Sequence, residues 1–440
     1  MASQTPAPMK LLIFAHAPPP YHGQSFMVQL MLAGLGGDHR KRRSTVPPQP
    51  GVPADGLRQD ITCYHVNVRL SKELADIGEL RIGKFFLLLG YCMQALWCRL
   101  RYGVTNFYYI PAPGKPSALY RDWLVMVLCR PFFKRFIFHW HASGLGRWLE
   151  TSRQIRSRSL TYRLMKRADL SIVLSNYGRA DAEKFYPSRL AIVGNGIPDP
   201  CPHFSREVLP RRQARATARR LLLEGKKLPP NVSAAAGDRP DIIRVLFLAH
   251  CTEDKGLFDA ARGAILAHQE LVASKSPLSL KLLVAGQFVH RNEEAEFHRL
   301  CATGRDAVEY VGFAAGDKKR ELFEQADVFC FPSHLESFGL VLAEAMAFGL
   351  PVVATRCGAM PEVLSRDYPG LVEPRAPAHI ANALLRMSSE ECFVALRERF
   401  ETKFTVERYL DNLARAIHSV EQPSAAASEG SAPALVTVGY

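Results

Sequence analysis

The sequence has no C-x-x-C pair, no two aspartates separated by one residue, no G-x-x-x-x-G-K-[ST] loop and no bilayer-length apolar run. Each absence excludes a class. Its ten cysteines, at 63, 92, 98, 129, 201, 251, 301, 330, 357 and 392, are scattered through a chain too large to need disulfide staples, which indicates a reducing compartment and no structural zinc site. The missing aspartate pair removes a metal clamp of that spacing, and no His/Cys/Asp cluster at ligand spacing replaces it. Without the glycine-lysine loop there is no P-loop nucleotide site. The N-terminal apolar run, Leu11 to Ala15, is followed by His and prolines instead of a small-residue cleavage site, so no secretory signal is expected. The most continuously apolar stretch, Phe85 to Cys98, falls short of the ~20 residues of a spanning helix and is expected as a buried helix.

What is present is an ordinary soluble composition, 48% hydrophobic and 22% charged over 440 residues, about twice what one core fills. Two large domains follow. The net charge of +14 is unevenly placed, with 27 Lys/Arg against 12 Asp/Glu in residues 1 to 200 and near balance beyond. The first half therefore faces something anionic, such as a membrane surface or a phosphorylated substrate. Nucleic acid is set aside because no recognition module is present.

Short apolar runs alternate with helix-length segments. Strands are expected at 10–16, 61–67, 105–110, 135–141, 170–175 and 190–195, and again at 242–250, 280–286, 307–313, 327–332 and 351–355. This βαβ rhythm gives an α/β fold of two doubly wound, Rossmann-like domains with a cleft between them. The expected boundaries are 1–204, a basic linker or insertion at 205–240, a second domain at 241–421 and a disordered tail at 422–440.

The most informative segment is PSHLESFGLVLAEAMAFGLPVVATRCGAMPEV, residues 332 to 363. Ser337 is placed to cap a helix, with Glu336 ahead of it and Glu344 inside. The amides of Phe338, Gly339 and Leu340 are then first-turn donors at the positive helix end, an anion site. E-S-F-G-L-V-L-A-E is similar to the E-x7-E motif of retaining GT-B glycosyltransferases, and EAMAFGLPVVAT with PEV resembles glycosyltransferase family 4. VLSNYGRADAEKFYP, IVGNGIPD, VLFLAHCTEDKG, LLVAG, YVGF and ADVFCFPS extend the resemblance over most of the chain except 38–60, 205–240 and the tail.

The resemblance implies a retaining, metal-independent hexosyltransferase of the GT-B fold, without the D-x-D clamp of GT-A enzymes. No cofactor is implied beyond the nucleotide-diphosphate sugar used as donor substrate. By the same resemblance Glu344 binds the donor ribose, Glu336 lies beside the transferred sugar, Lys255 before Gly256 grips the diphosphate, and His141 is the family's cleft histidine. Gly23 follows the first strand, where its backbone can approach phosphate or sugar. His139 shares a sheet face with His141 and fits a core role; Asn195-Gly196 is a structural turn. Many relatives carry an Arg before the Lys-Gly, where this chain reads Ala249-His250-Cys251, so Arg356 is a candidate to supply the missing charge. The acceptor implied is a saccharide or lipid-linked saccharide of surface polysaccharide or glycolipid synthesis. The enzyme is expected in the cytoplasm, with peripheral contact to the membrane's inner face kept open through Arg81 to Gly103. A GT-B sugar-nucleotide epimerase and an inactive GT-B scaffold remain as alternatives.

Overall fold

The computed structural model describes residues 8–20, 22–41, 60–70, 82–114, 116–151, 155–304, 306–422 and 433–438. The chain forms two compact units, one of Met1–Pro198 with Thr405–Tyr440 and the other of Asp199–Phe404. Strands in both are short, apolar and mostly buried, as expected where helices cover both faces of a parallel sheet.

The first unit has strands β1 (Met9–Ala15), β2 (Ile61–Asn67), β3 (Asn106–Tyr109), β4 (Arg135–Trp140), β5 (Leu170–Val173) and β6 (Arg189–Ile192). Its helices are α1 (Gly23–Gly34), α2 (Ile82–Tyr102), α3 (Pro116–Cys129), α4 (Leu145–Thr151), α5 (Ile155–Met165) and α6 (Asn176–Glu183). The second unit has α7 (Leu209–Leu223), α8 (Pro230–Ala236), β7 (Ile242–Leu248), α9 (Leu257–Ala273), β8 (Ser279–Ala285), α10 (Arg291–Thr303), β9 (Val308–Gly312) and α11 (Gly316–Gln325). It continues with β10 (Val328–Phe331), α12 (Leu340–Ala347), β11 (Val352–Thr355), α13 (Met360–Leu364), β12 (Leu371–Val372), α14 (Pro377–Met387) and α15 (Phe393–Lys403). The chain then returns to the first unit as α16 (Val406–His418) and β13 (Ala434–Val436).

The first sheet runs β13-β6-β5-β4-β3-β1-β2 and the second β12-β11-β10-β7-β8-β9, with parallel pairing throughout. In each, strand order reverses once, between β1 and β3 and between β7 and β10. Ligands of open α/β sheets bind outside the carboxyl ends of the strands at such a reversal. The loops after β7 and β10 are therefore where the second unit should bind.

Three expectations are corrected. Residues 205–240 are not a linker: α7 packs into the second unit and buries Arg212, Arg215 and Arg219 on one face. Spacing of three and four residues puts those side chains together, and each finds oxygen acceptors. Arg212 donates to the carbonyls of Phe348 (2.9 Å), Ala326 (2.6 Å) and Phe323 (2.9 Å); Arg215 forks onto Asp327 at 2.8 and 3.1 Å. The domain boundary moves accordingly, to 198/199 and again to 404/405, where α16 buries Tyr409, Leu410 and Leu413 in the first unit. The tail is in part a strand, since β13 extends the first sheet beside β6; residues 423–432 and 439–440 lie outside the described set.

The segment Phe85 to Cys98 is helical as expected, but only half buried. Leu88, Cys92, Ala95 and Cys98 form the core-facing stripe of α2, while Phe86, Met93, Trp97 and Leu100 form an outward one. No helix among the described residues is long and apolar enough to cross a membrane.

Candidate active site

The loop after β7 ends in a short turn, Glu253–Lys255, and Gly256 then starts α9. Gly256 has φ +77°, and a Cβ there would meet the carbonyl oxygen of Pro332 at 2.1 Å. Only glycine allows the loop after β10 to come this close. Two bonds stitch the loops: His334 N donates to Asp254 O at 2.9 Å, and Ser333 Oγ donates to the same carbonyl at 3.1 Å.

This approach brings Lys255 Nζ to 2.7 Å from Glu336 Oε2, with the lysine also 5.9 Å from the Phe331 ring centroid. The side chains are 30% and 16% exposed, so both stay open to a ligand. The Glu336 backbone is held from the far side, where Gly358 at φ +58° leaves no room for a Cβ, which would lie 2.0 Å from Glu336 O. Ala359 N donates to that same oxygen at 3.0 Å.

Helix α12 begins at Leu340 with Gly339 as its N-cap, which corrects the expectation that Ser337 caps it. The first-turn amides are accordingly those of Leu340 and Val341, because Leu342 N already bonds Gly339 O at 2.9 Å. Phe338 is instead an anchor, buried against Phe404 with ring centroids 5.7 Å apart. Glu344, on the second turn of α12, is held by Lys319 of α11 at 2.6 Å. Each of the two glutamates is thus paired with a lysine. Lys319 was not legible in the sequence, since nothing in GDKKRELFEQ separates it from Lys318, which bonds the Val311 carbonyl.

Burial, and then the charge of Lys255, lower the His250 pKa below its ordinary value, which disfavours the charged imidazolium at the position where many relatives carry an Arg. Arg356 bonds the carbonyl of Arg366 at 3.2 Å and lies 3.8 Å from Glu373. Among the described residues, no group of three His, Cys, Asp or Glu is arranged to hold a metal ion.

In the first unit His141 follows β4, and burial, then the charge of His22, lower its pKa to about 3. Its ring lies 4.2 Å from that of His139, which is fully buried and hydrogen-bonded to the Tyr108 hydroxyl. Gly23 is the exposed first residue of α1, capped by His22, whose Nδ1 accepts from Ser25 N at 3.3 Å. Asn195 is buried and Gly196 packs under α16, where a Cβ would meet Thr405 O.

Residues 244–390 match the family model described as glycosyl transferases group 1. An uncharacterized glycosyltransferase of Methanocaldococcus jannaschii is 30% identical over 42% of this chain and 46% of its own length. The amylovoran biosynthesis glycosyltransferase AmsK of Erwinia amylovora is 30% identical over 37% and 41%. The chain thus spans less than half the length of these relatives. Among solved structures, HepE of Anabaena in complex with UDP aligns with a TM-score of 0.58 at 17% identity, over 93% of this chain and 100% of that one. Sucrose-phosphate synthase of Thermosynechococcus elongatus aligns with a TM-score of 0.61 at 21% identity, over 94% and 99%. Two parallel α/β sheets and this shared architecture make the chain a GT-B-fold protein, and its residues 244–390 are similar to the glycosyl transferases group 1 family.

Proposed function

We propose that the protein is a retaining glycosyltransferase that moves a sugar from a nucleotide-diphosphate donor to a saccharide or lipid-linked acceptor in the cytoplasm, without a metal ion. The observation that carries this reading is the Lys255–Glu336 pair on the loops after β7 and β10, at the strand-order reversal, with Glu344 eight residues on. The second unit binds the donor and the basic first unit the acceptor. HepE has been crystallised with UDP and with UDP-glucose, which supports a nucleotide-sugar donor. AmsK and a putative colanic acid biosynthesis glycosyltransferase of Escherichia coli, 29% identical over 40% of this chain and 45% of that one, support a role in surface polysaccharide assembly.

On this reading Glu344 accepts from the ribose hydroxyls, with Lys319 fixing its carboxylate, and Lys255 with the amides of Leu340 and Val341 receives the diphosphate. The bond from the anomeric carbon to the β-phosphate oxygen breaks while the acceptor oxygen bonds that carbon from the same face, its proton passing to the departing phosphate. Charge grows on the diphosphate as the bond breaks, so a placed ammonium favours the transition state over the ground state. Glu336, beside the sugar, stabilises the positive charge at the anomeric carbon. His141, neutral at physiological pH, has one N–H and one lone pair for a sugar hydroxyl.

Two measurements test this. In a thermal-shift screen of UDP-, GDP- and ADP-sugars one donor class should stabilise the protein; at 100 times its Kd the gain is about 2.7 kcal/mol, or roughly 5–10 °C. No shift with any class at millimolar concentration removes the donor assignment. Glu344→Gln should weaken that donor about 10-fold or more by calorimetry, because a charged acceptor of hydroxyl bonds becomes a neutral one. An unchanged Kd would falsify the ribose role.

A further inference from the structure

Helix α2 presents two apolar stripes on opposite faces, and only one of them meets the core. The outward stripe runs Phe86 (65% exposed), Met93 (58%), Trp97 (50%) and Leu100 (83%), at the spacing of successive helical turns. Phe85 is a fifth large apolar side chain left in the open on this helix. Helix α3 packs against α2 and α5, and it adds Tyr120 and Val127, seven residues apart, both half exposed. Beyond its end Phe132 is exposed, held to α2 by Arg99 Nε donating to its carbonyl at 2.9 Å. The inner faces of α2 and α3 share one buried cluster on one side of the sheet, so the outer faces form one surface. A water-facing layer of this kind has no reason to expose so many large apolar side chains.

Apart from one buried aspartate, the charges carried by α2, α3 and α5 are of one sign. Lys84, Arg99 and Arg101 lie on α2 and Arg158 and Arg163 on α5. The sequences of α2, α3 and α5 contain a single acidic residue, Asp122. It is fully buried, accepting from the Tyr109 hydroxyl at 2.6 Å and from Ala112 N at 2.9 Å. A second copy of this face would set the bases of these helices against bases, since α2, α3 and α5 themselves offer no exposed carboxylate. An acyl-chain boundary topped by anionic headgroups matches both features, since it takes up the aromatic and aliphatic side chains and pairs the flanking cations.

We propose that the outer face of α2 and α3 docks in the plane of an anionic lipid bilayer. The helix lies on the membrane and does not span it, because Leu88, Cys92, Ala95 and Cys98 stay in the core of the first unit. This goes beyond the transferase reading and stands without it. Its test uses no sugar donor.

The experiment is sedimentation of the full chain with vesicles of phosphatidylcholine alone and with added phosphatidylglycerol, at about 0.1 M and about 1 M salt, where the Debye length is about 10 and about 3 Å. The expected result is binding to the phosphatidylglycerol vesicles, at least 10-fold weaker at high salt, with a blue shift of tryptophan emission. Phe86→Ser, Met93→Ser and Leu100→Ser together should lower the partition at least 10-fold with unchanged circular dichroism. Lys84→Gln with Arg101→Gln, which leaves the apolar stripe intact, should abolish the preference for anionic vesicles. No binding at low salt, equal binding to both vesicles, or undiminished binding by the triple variant overturns the proposal. So does a wild-type dimer by light scattering that the triple variant converts to monomer, which would assign the face to a second copy.

Discussion

Lys255→Ala should lower turnover about 100-fold or more while shifting the unfolding midpoint by only a few degrees. The asymmetry follows from where the side chain sits. Its pair with Glu336 is partly open to solvent, so the contact adds on the order of 1 kcal/mol or less to folding. In the proposed reaction the same ammonium meets a diphosphate whose charge rises as the sugar leaves, and that interaction is strongest in the transition state. The measurement is kcat and KM with the donor found by the thermal-shift screen, beside a melting curve without donor. A loss in kcat exceeding any rise in KM supports this role; wild-type kcat moves the diphosphate contact to another residue. Lys255→Arg should recover only part of the rate, because a planar fork does not place charge where the compact ammonium did.

The strands were legible because burial on both faces leaves a sequence trace, a short apolar run between turn residues. KLLIFAH, ITCYHVN, LKLLVAG and DVFCFP all fall within a few residues of observed strands. β12 and β13, of two and three residues, are too short to leave one. Lys255, Glu336 and Glu344 were singled out through a motif in register; the structure brings the first two together from the loops after β7 and β10, and joins Glu344 of α12 to α11. Lys319 was not legible, since its partner is on another helix and its own segment reads as a solvated charge run. α2 was misjudged for a related reason, because a continuous apolar run cannot say which of its faces the core takes.

The same blindness produced the linker error, and its correction yields the largest stability effect expected here. Asp327→Asn should destabilise the second unit by about 3–5 kcal/mol, because it removes the anion from a buried cluster and leaves two guanidinium groups uncompensated. Asp327 is 7% exposed, is forked by Arg215, pairs with Arg219 and accepts from Arg244 N at 2.8 Å, so α7 is fastened to the start of β10 and to β7 through one carboxylate. Composition reads these arginines as solvated because their partner lies more than a hundred residues away. Arg220, exposed on the same helix, is the control: Arg220→Ala should change stability by about 0.5 kcal/mol or less, whereas a solvated linker would make the two substitutions alike. Urea denaturation of both variants decides between them.

The pH dependence carries a second sign. Burial alone would raise the Asp327 pKa, but Arg219 and Arg215 outweigh it and hold the carboxyl far below its ordinary value of 3.8. A depressed folded-state pKa gives stability that is fully present above 3.8 and is lost as acid drives the unfolded chain to bind the proton, at up to about 1.4 kcal/mol per pH unit. Wild type should therefore lose stability faster than Asp327→Asn below about pH 4, and the gap between their unfolding free energies should close with acid. A gap that stays constant from neutral pH down to about pH 2 would show that packing, not the charge of Asp327, holds α7 in place.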